Sequence, residues 1–392
     1  MHYIALLLGL VFFCGETVLA QPNPIEIKID PKNMPEGNLR MSDLIESIEY
    51  IPLETTDECL IGNGVFYDFS DNYIIAGDYK GETAYLFDRK GKFMRPIGSK
   101  GGGPQDFTHL GYMWIDANSR YVVINTSGKA LFFDLKGNFL FSTRFPIDDR
   151  QVSCYTQEKF LRVAESYLLR DSSYYVFNLF DQKGRLIKEA IRSVPIPLIA
   201  DKAWRIAFKI IPIGNSYEYE NMLHVRETMN DTIYQIDGLN NFIPKYVFNL
   251  GKYRLTPEIQ GNLPRFRELA PNCVVPQYVA ETTDYVLIYY NYQDQYHYCY
   301  FDKAEGKTYA FNSKNGFPND YDGGLDFFFI MDKGQKNQYL SSYIQADEFT
   351  DPEKRTKLEP HGPQSAVRAF EKLVKKVDPD DNPVIMIVKL KE

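Results

Sequence analysis

The sequence predicts an all-β fold: a six-bladed β-propeller of four-stranded antiparallel blades, its ring closed by the N- and C-terminal strands, with one helical insertion near the C-terminus. Three observations predict it. A short aspartate turn returns five times along the chain. A second hairpin stands upstream of each copy, which makes units of four short strands. Tyr and Phe number 29 and 27 against 2 Trp in 392 residues, a surplus of side chains that suit pleated, half-buried surfaces.

The turn motif reads Phe87-Asp88-Arg89-Lys90-Gly91-Lys92-Phe93, then Phe133-Asp134-Leu135-Lys136-Gly137-Asn138-Phe139, then Phe180-Asp181-Gln182-Lys183-Gly184-Arg185-Leu186. Looser copies are Ile236-Asp237-Gly238-Leu239-Asn240-Asn241-Phe242 and Phe301-Asp302-Lys303-Ala304-Glu305-Gly306-Lys307. Successive aspartates lie 46, 47, 56 and 65 residues apart, the length of a propeller blade. In each copy an alternating strand ends at the Asp, whose carboxylate accepts from turn amides, and Gly supplies the positive φ of a tight hairpin. The upstream hairpins are Val65–Phe69 with Tyr73–Ala76 in the first unit and Tyr112–Asp116 with Tyr121–Asn125 in the second.

The stretch from Phe317 onward supplies the sixth blade, with strands expected at Leu325–Met331, Tyr339–Gln345 and Val384–Leu390. Between the last two lie a charged stretch, Asp347–Glu359, and a helix expected over Pro363–Val377. Val367, Phe370, Val374 and Val377 give that helix one apolar face. This blade lacks an outer strand, and Ser47–Leu53 is a strand without a blade. Pairing it with Val384–Leu390 closes the ring and removes exposed edges. Residues 1–20 read as a signal peptide, 21–44 as a linker and 45–392 as the propeller.

Several phrases carry a family resemblance. The connector Gly98-Ser99-Lys100-Gly101-Gly102-Gly103-Pro104-Gln105-Asp106-Phe107 is one. Others are Tyr50-Ile51-Pro52-Leu53-Glu54-Thr55-Thr56 with Leu60-Ile61-Gly62, the segment Asp231-Thr232-Ile233-Tyr234, and Asn382-Pro383-Val384 running on to Leu390. Together they resemble the six-bladed, NHL-like β-propeller proteins of the Bacteroides-type cell envelope, from about residue 45 to the C-terminus. The resemblance implies a fold and a compartment, and it implies no catalytic residues.

Residues 4–13 are wholly apolar, too few to cross a bilayer and placed as a signal-peptide core. Val18 and Ala20 fit cleavage after Ala20. The alternative is a lipid anchor on Cys14, against which Phe13 stands where lipoprotein cleavage needs a small residue. Either way the chain is expected to be exported, to the periplasm or to the cell surface and outer membrane. Membrane contact is expected only through that lipid. The net charge of −8 repels phosphate backbones, which argues against nucleic acid. Cys59, Cys154, Cys273 and Cys299 are far apart, without a Cys-x-x-Cys pair, and read as separate buried thiols.

Candidate chemistry is sparse. The Gly-rich connector lacks the G-K-[ST] ending of a phosphate loop, there is no G-x-S-x-G elbow, and the five histidines show no zinc-ligand spacing. Asp320, Asp322 and Asp326 surround two glycines and form a candidate Ca²⁺ loop, set against the reading of a solvated turn. Tyr296 and Tyr298 lie in the densest aromatic patch and are candidate sugar-stacking residues, set against inter-blade packing. Trp204, Arg205 and His109 are further candidate ligand contacts. The expected function is a non-catalytic envelope propeller that binds a glycan, peptide or protein partner. The alternatives are an enzyme on the same scaffold, acting on a polysaccharide as hydrolase or lyase or on a lactone, and a structural or sensory module.

Overall fold

A computed structural model describes residues 23–391, apart from 79, 82, 117–118, 127–128, 145–151, 157–158, 170–171, 192–195, 198–213, 228–229, 261–262, 312–316 and 328–334. The leader at 1–20 and the pair Trp204-Arg205 lie outside the described residues.

The chain is an all-β propeller. Strand β1 (Ile25–Lys28) and a short helix α1 (Met41–Leu44) precede β2 (Ile45–Pro52). The first sheet follows as β3 (Val65–Phe69), β4 (Tyr73–Asp78), β5 (Ala84–Asp88) and β6 (Phe93–Ile97). The second is β7 (Met113–Ile115), β8 (Tyr121–Thr126), β9 (Lys129–Asp134) and β10 (Phe139–Arg144). The third is β11 (Val152–Thr156), β12 (Lys159–Leu169), β13 (Ser172–Asp181) and β14 (Leu186–Ile191), with β15 (Ile196–Pro197) on β13. The fourth is β16 (Gly214–Tyr219), β17 (Met222–Glu227), β18 (Thr232–Ile236) and β19 (Phe242–Asn249). Helices α2 (Pro257–Gln260) and α3 (Leu263–Leu269) lead to the fifth, β20 (Val275–Glu281), β21 (Tyr285–Tyr292), β22 (Gln295–Asp302) and β23 (Lys307–Phe311). The chain ends through β24 (Tyr339–Ile344), α4 (Ala346–Thr350), α5 (Gln364–Val374) and β25 (Val384–Leu390).

Five of the described sheets hold four strands or more. The last, β2-β25-β24, holds three. Among the described residues the expectation of six equal four-stranded blades is therefore corrected to five such sheets and one of three strands: Leu325 and Phe327 make isolated bridges to Arg355 and Phe317, and 328–331 of the strand expected there lie outside the described residues. The chain ends do pair. β2 runs antiparallel to β25 with Ile48 opposite Val388 and Ile51 opposite Ile385.

The aspartate turns work as their chemistry demands. Asp88 Oδ1 accepts from the N–H of Lys90 and of Lys92 at 2.9 and 3.0 Å, and Asp134, Asp181 and Asp237 repeat the pattern on their own turns. The fifth copy is one residue longer, with Asp302 capping Ala304 and Glu305 and the positive φ moved to Gly306. Gly91 has a second reason to be glycine: a Cβ there would strike the Pro52 carbonyl of β2. Gly184 faces the Arg144 carbonyl of β10 in the same way, so the turn of one sheet seats on the outer strand of the preceding one.

Each of the first four outer strands also carries a β-bulge. The residue left without a partner is Met94 in β6, Leu140 in β10, Ile187 in β14 and Lys245 in β19. Met94, Leu140 and Ile187 are exposed.

The stretch expected as a linker is instead packed from Ile25 on. β1 adds a parallel strand to β19, and Ile27, Ile29, Met41 and Leu44 are buried. An apolar residue buried in such a strand contributes about 1.5–3 kcal/mol, enough to hold the segment down. The expected helix is present as the shorter α5, ending at Val374 rather than Val377, with Phe370 and Val374 in the core and Val377 buried just beyond its end. Helices α2 and α3 are additions to the expectation of a single helical insertion. Thr256-Pro257-Glu258 is a helix-start signal that marks the first of them.

Candidate functional site

At one end of the ring, segment Gln335–Asn337 ties several inner strands together. The Glu218 N–H donates to the Gln335 carbonyl, and the Lys336 ammonium donates to the Phe69 carbonyl at 2.7 Å and lies 3.7 Å from Asp68. The Gln335 side chain takes the Glu281 N–H at 2.6 Å and returns a bond to the Glu281 carbonyl. This fixes Glu281 at the end of β20, against the neighbouring sheet.

The Glu281 side chain is 1% exposed and is the centre of a polar cluster. Oε1 accepts from the Tyr246 hydroxyl at 2.7 Å and the Lys303 ammonium at 2.8 Å. Oε2 accepts from the Tyr217 hydroxyl at 3.1 Å and the Lys245 ammonium at 3.0 Å. Burial raises the carboxyl, but the two ammoniums outweigh it and hold Glu281 below the usual carboxylate range. Burial lowers the Lys245 ammonium, and Lys303 adds to the effect against the attraction of Glu281. The asymmetry follows from stoichiometry, because one carboxylate serves two cations.

Lys245 and Tyr246 are neighbours in sequence, yet both reach Glu281. In a regular strand they would face opposite sides of the sheet. The bulge at Lys245 removes that alternation and turns both onto the same carboxylate.

His224, fully buried, stacks on Tyr217 with ring centroids 4.7 Å apart. Its Nε2 lies 3.0 Å from Lys245 Nζ, a donor, so Nε2 accepts and Nδ1–H donates to the Met222 carbonyl at 3.1 Å. Burial first, then Lys245, lowers its pKa to about 4. The imidazole is neutral at neutral pH, with both nitrogens engaged.

The outward side of the cluster is cationic. Lys245 and Lys303 are 21% and 22% exposed, and both ammoniums lie over the Tyr219 ring, 5.1 and 4.9 Å from its centroid. Lys245 donates to Glu281 and His224, and Lys303 to Glu281 and the Thr282 carbonyl. Each thus retains one N–H beyond these bonds. The exposed Glu220 is hydrogen-bonded to Tyr219 beside them.

The sequence-derived candidates lie elsewhere. Asp320 accepts from the Ser42 N–H and hydroxyl at 2.9 and 2.7 Å, anchoring α1. Asp322 accepts from Asn319 Nδ2, the Gly324 N–H and the Tyr50 hydroxyl, and Asp326 from the Asn319 N–H. Asp320 and Asp322 are buried and engaged by the chain's own donors, so the Ca²⁺ loop is corrected to an interior anchor. Among the described residues no three His, Cys, Asp or Glu side chains gather as metal ligands. Tyr298 is buried against Tyr289 and Phe317, and Tyr296 is exposed and stacked on Tyr289 at 5.0 Å. His109 sits half-buried beside Thr108, at the end of the Gly-rich connector. Sequence reasoning missed Glu281, Lys245, Lys303, Tyr217 and Tyr246. The one local signal was an acid closing an otherwise uncharged strand, Val275–Glu281.

The family described as a domain of unknown function, DUF4934, matches residues 24–389. No curated protein matches the chain. Among solved structures, a candidate exported protein of Bacteroides fragilis NCTC 9343 superposes with a TM-score of 0.66 at 18% identity, covering 94% of this chain and 100% of that one. A member of the DUF4221 family from Bacteroides vulgatus ATCC 8482 gives 0.43 at 12% identity, covering 89% and 97%. The WD40 domain of SCAP from fission yeast gives 0.37 at 11% identity, covering 76% and 65%.

Proposed function

The chain belongs to the DUF4934 family, and on that premise we propose that it is an exported, non-catalytic β-propeller that binds a glycan, peptide or protein partner of the cell envelope. In this reading residues 1–20 direct export, and the three-stranded sheet is the sixth blade, completed by the pairing of β2 with β25. The B. fragilis protein of similar fold, itself described as a candidate exported protein, supports the compartment.

One observation carries the choice of binding over turnover: the buried acid–base groups of the cluster, Glu281 and His224, are locked. Glu281 takes four donors, two on each oxygen, and is held ionised, which leaves it no room to receive a proton from a substrate. His224 is fully buried with both nitrogens occupied. The groups of the cluster that face outward are the two ammoniums, which hold a ligand by charge and donation, with the exposed Glu220 carboxylate beside them as an acceptor.

The test is a glycan array together with a thermal-shift screen on the chain from residue 21. A shift with one ligand class, and no product released from it, is the expected result. Turnover of any polymer or lactone by the purified chain would replace this reading with an enzymatic one.

A further inference from the structure

We infer that Lys245 and Lys303 together seat a single carboxylate of the ligand, and that the ligand is an acidic sugar whose hydroxyls reach Glu220. The inference rests on the binding reading above and names the ligand class of the same site.

The charge count sets the first limit. The two ammoniums share one buried carboxylate, so one positive charge is unmatched inside the cluster, and the exposed Glu220 carboxylate beside the pair limits what that charge can hold to a single carboxylate. Glu281 brings the two ammoniums onto its own two oxygens, so their heads are held side by side. Each has one N–H left after its bonds within the protein. Two such donors match the two oxygens of a ligand carboxylate. The Tyr219 ring beneath them keeps the ammoniums partly dry, which strengthens an ionic contact over its value in water.

Glu220 sets the second limit. Its exposed carboxylate lies close enough to favour the charged form of Lys245 and is hydrogen-bonded to Tyr219. A bare anion would be repelled by it. A molecule with hydroxyl donors next to its carboxylate satisfies Glu220 and the ammoniums at once, and a uronic acid has that pattern. A peptide terminus offers amide donors instead, and it forms the contrasting arm of the test.

The experiment is calorimetric titration of the chain from residue 21 with galacturonate oligomers, neutral galactose oligomers and a short acidic peptide. The galacturonate oligomers are expected to bind, with the neutral ones at least about tenfold weaker because they lack the charge-assisted bonds. Lys303→Gln is expected to weaken galacturonate binding about tenfold. Glu220→Gln lies on the surface away from the core, and two results are expected of it: neutral folding, and a shift of about threefold in the salt dependence or affinity of galacturonate binding. Equal binding of neutral and acidic oligomers would overturn the inference and leave the binding reading standing. So would preference for the acidic peptide, or affinity unchanged in both variants. Failure of all three probes to bind overturns the inference as well, and the array decides the broader reading separately.

Discussion

Asn382 holds the backbone of Ile61 from 321 residues away: its Oδ1 accepts the Ile61 N–H at 2.9 Å. Its Nδ2 donates to the carbonyls of Glu54 and Cys59 at 2.8 and 2.7 Å, and its own N–H donates to the Thr55 hydroxyl. One buried amide thus pins the chain leaving β2 to the chain entering β25, beside the pairing of the two termini.

Asn382→Ala is expected to cost about 2–4 kcal/mol, since it removes three side-chain bonds and orphans buried backbone groups. Urea unfolding measures it as a lower midpoint. Asn382→Asp, which lacks the two donors, is expected to rescue little. A midpoint unchanged in both variants would show that the latch contributes nothing.

Gly91→Ala and Gly306→Ala separate backbone strain from ring packing. Both residues have positive φ, 84° and 64°, so each substitution costs about 1 kcal/mol for conformation. A Cβ at Gly306 meets nothing, whereas at Gly91 it meets the Pro52 carbonyl. Gly91→Ala is therefore expected to be the more damaging by about 2 kcal/mol or more. Equal losses in denaturant midpoint would contradict the seating of turns on the preceding sheet.

The buried His224 gives a pH dependence with a definite sign. Its folded pKa, about 4, lies below the ordinary 6.5, so the unfolded chain takes the proton first. Its stabilising contribution is complete above pH 6.5 and is lost as the pH falls toward 4, in total about 3 kcal/mol. His224→Gln is expected to flatten the stability profile in that window relative to the wild type. Parallel profiles between pH 4 and 6.5 would refute the assignment.

Glu281→Gln leaves Lys245 and Lys303 facing each other without their carboxylate, with an expected loss of about 3 kcal/mol. Adding Lys245→Met removes the repulsion and is expected to recover part of it, a coupling that a double-mutant cycle reads from melting curves. Strict additivity would mean that the two side chains do not interact.

The thiols Cys59, Cys273 and Cys299 are buried, and burial raises all three, Cys59 to about 12. Thiolate being the reactive form, they are expected to resist iodoacetamide until the chain unfolds. Site-resolved mass spectrometry checks this, and rapid native alkylation at any of the three would count against their burial.

The features legible in the sequence are those made by neighbours in the chain. The aspartate turns close within four residues, so Asp88 and its relatives announce themselves, and the face of Phe370 and Val374 does the same for α5. β1 was unreadable because its partner β19 lies more than two hundred residues on, and four polar-flanked residues carry no pattern alone. Asp320 misled because a carboxylate among glycines looks the same whether calcium or the Ser42 amide fills it. The Glu281 cluster joins residues 217, 224, 245, 246, 281 and 303, and no spacing rule connects them.

The bulges give the ring an unusual freedom. Met94, Leu140 and Ile187 are supernumerary residues, present in their strands but outside the ladder, and they answer to no neighbouring pair. Such sites can change identity at little cost to the architecture. At Lys245 the same slot has been given an ammonium that reaches the buried Glu281. A scaffold of this kind can acquire recognition by substitution at a position it already tolerates, without redesigning a blade.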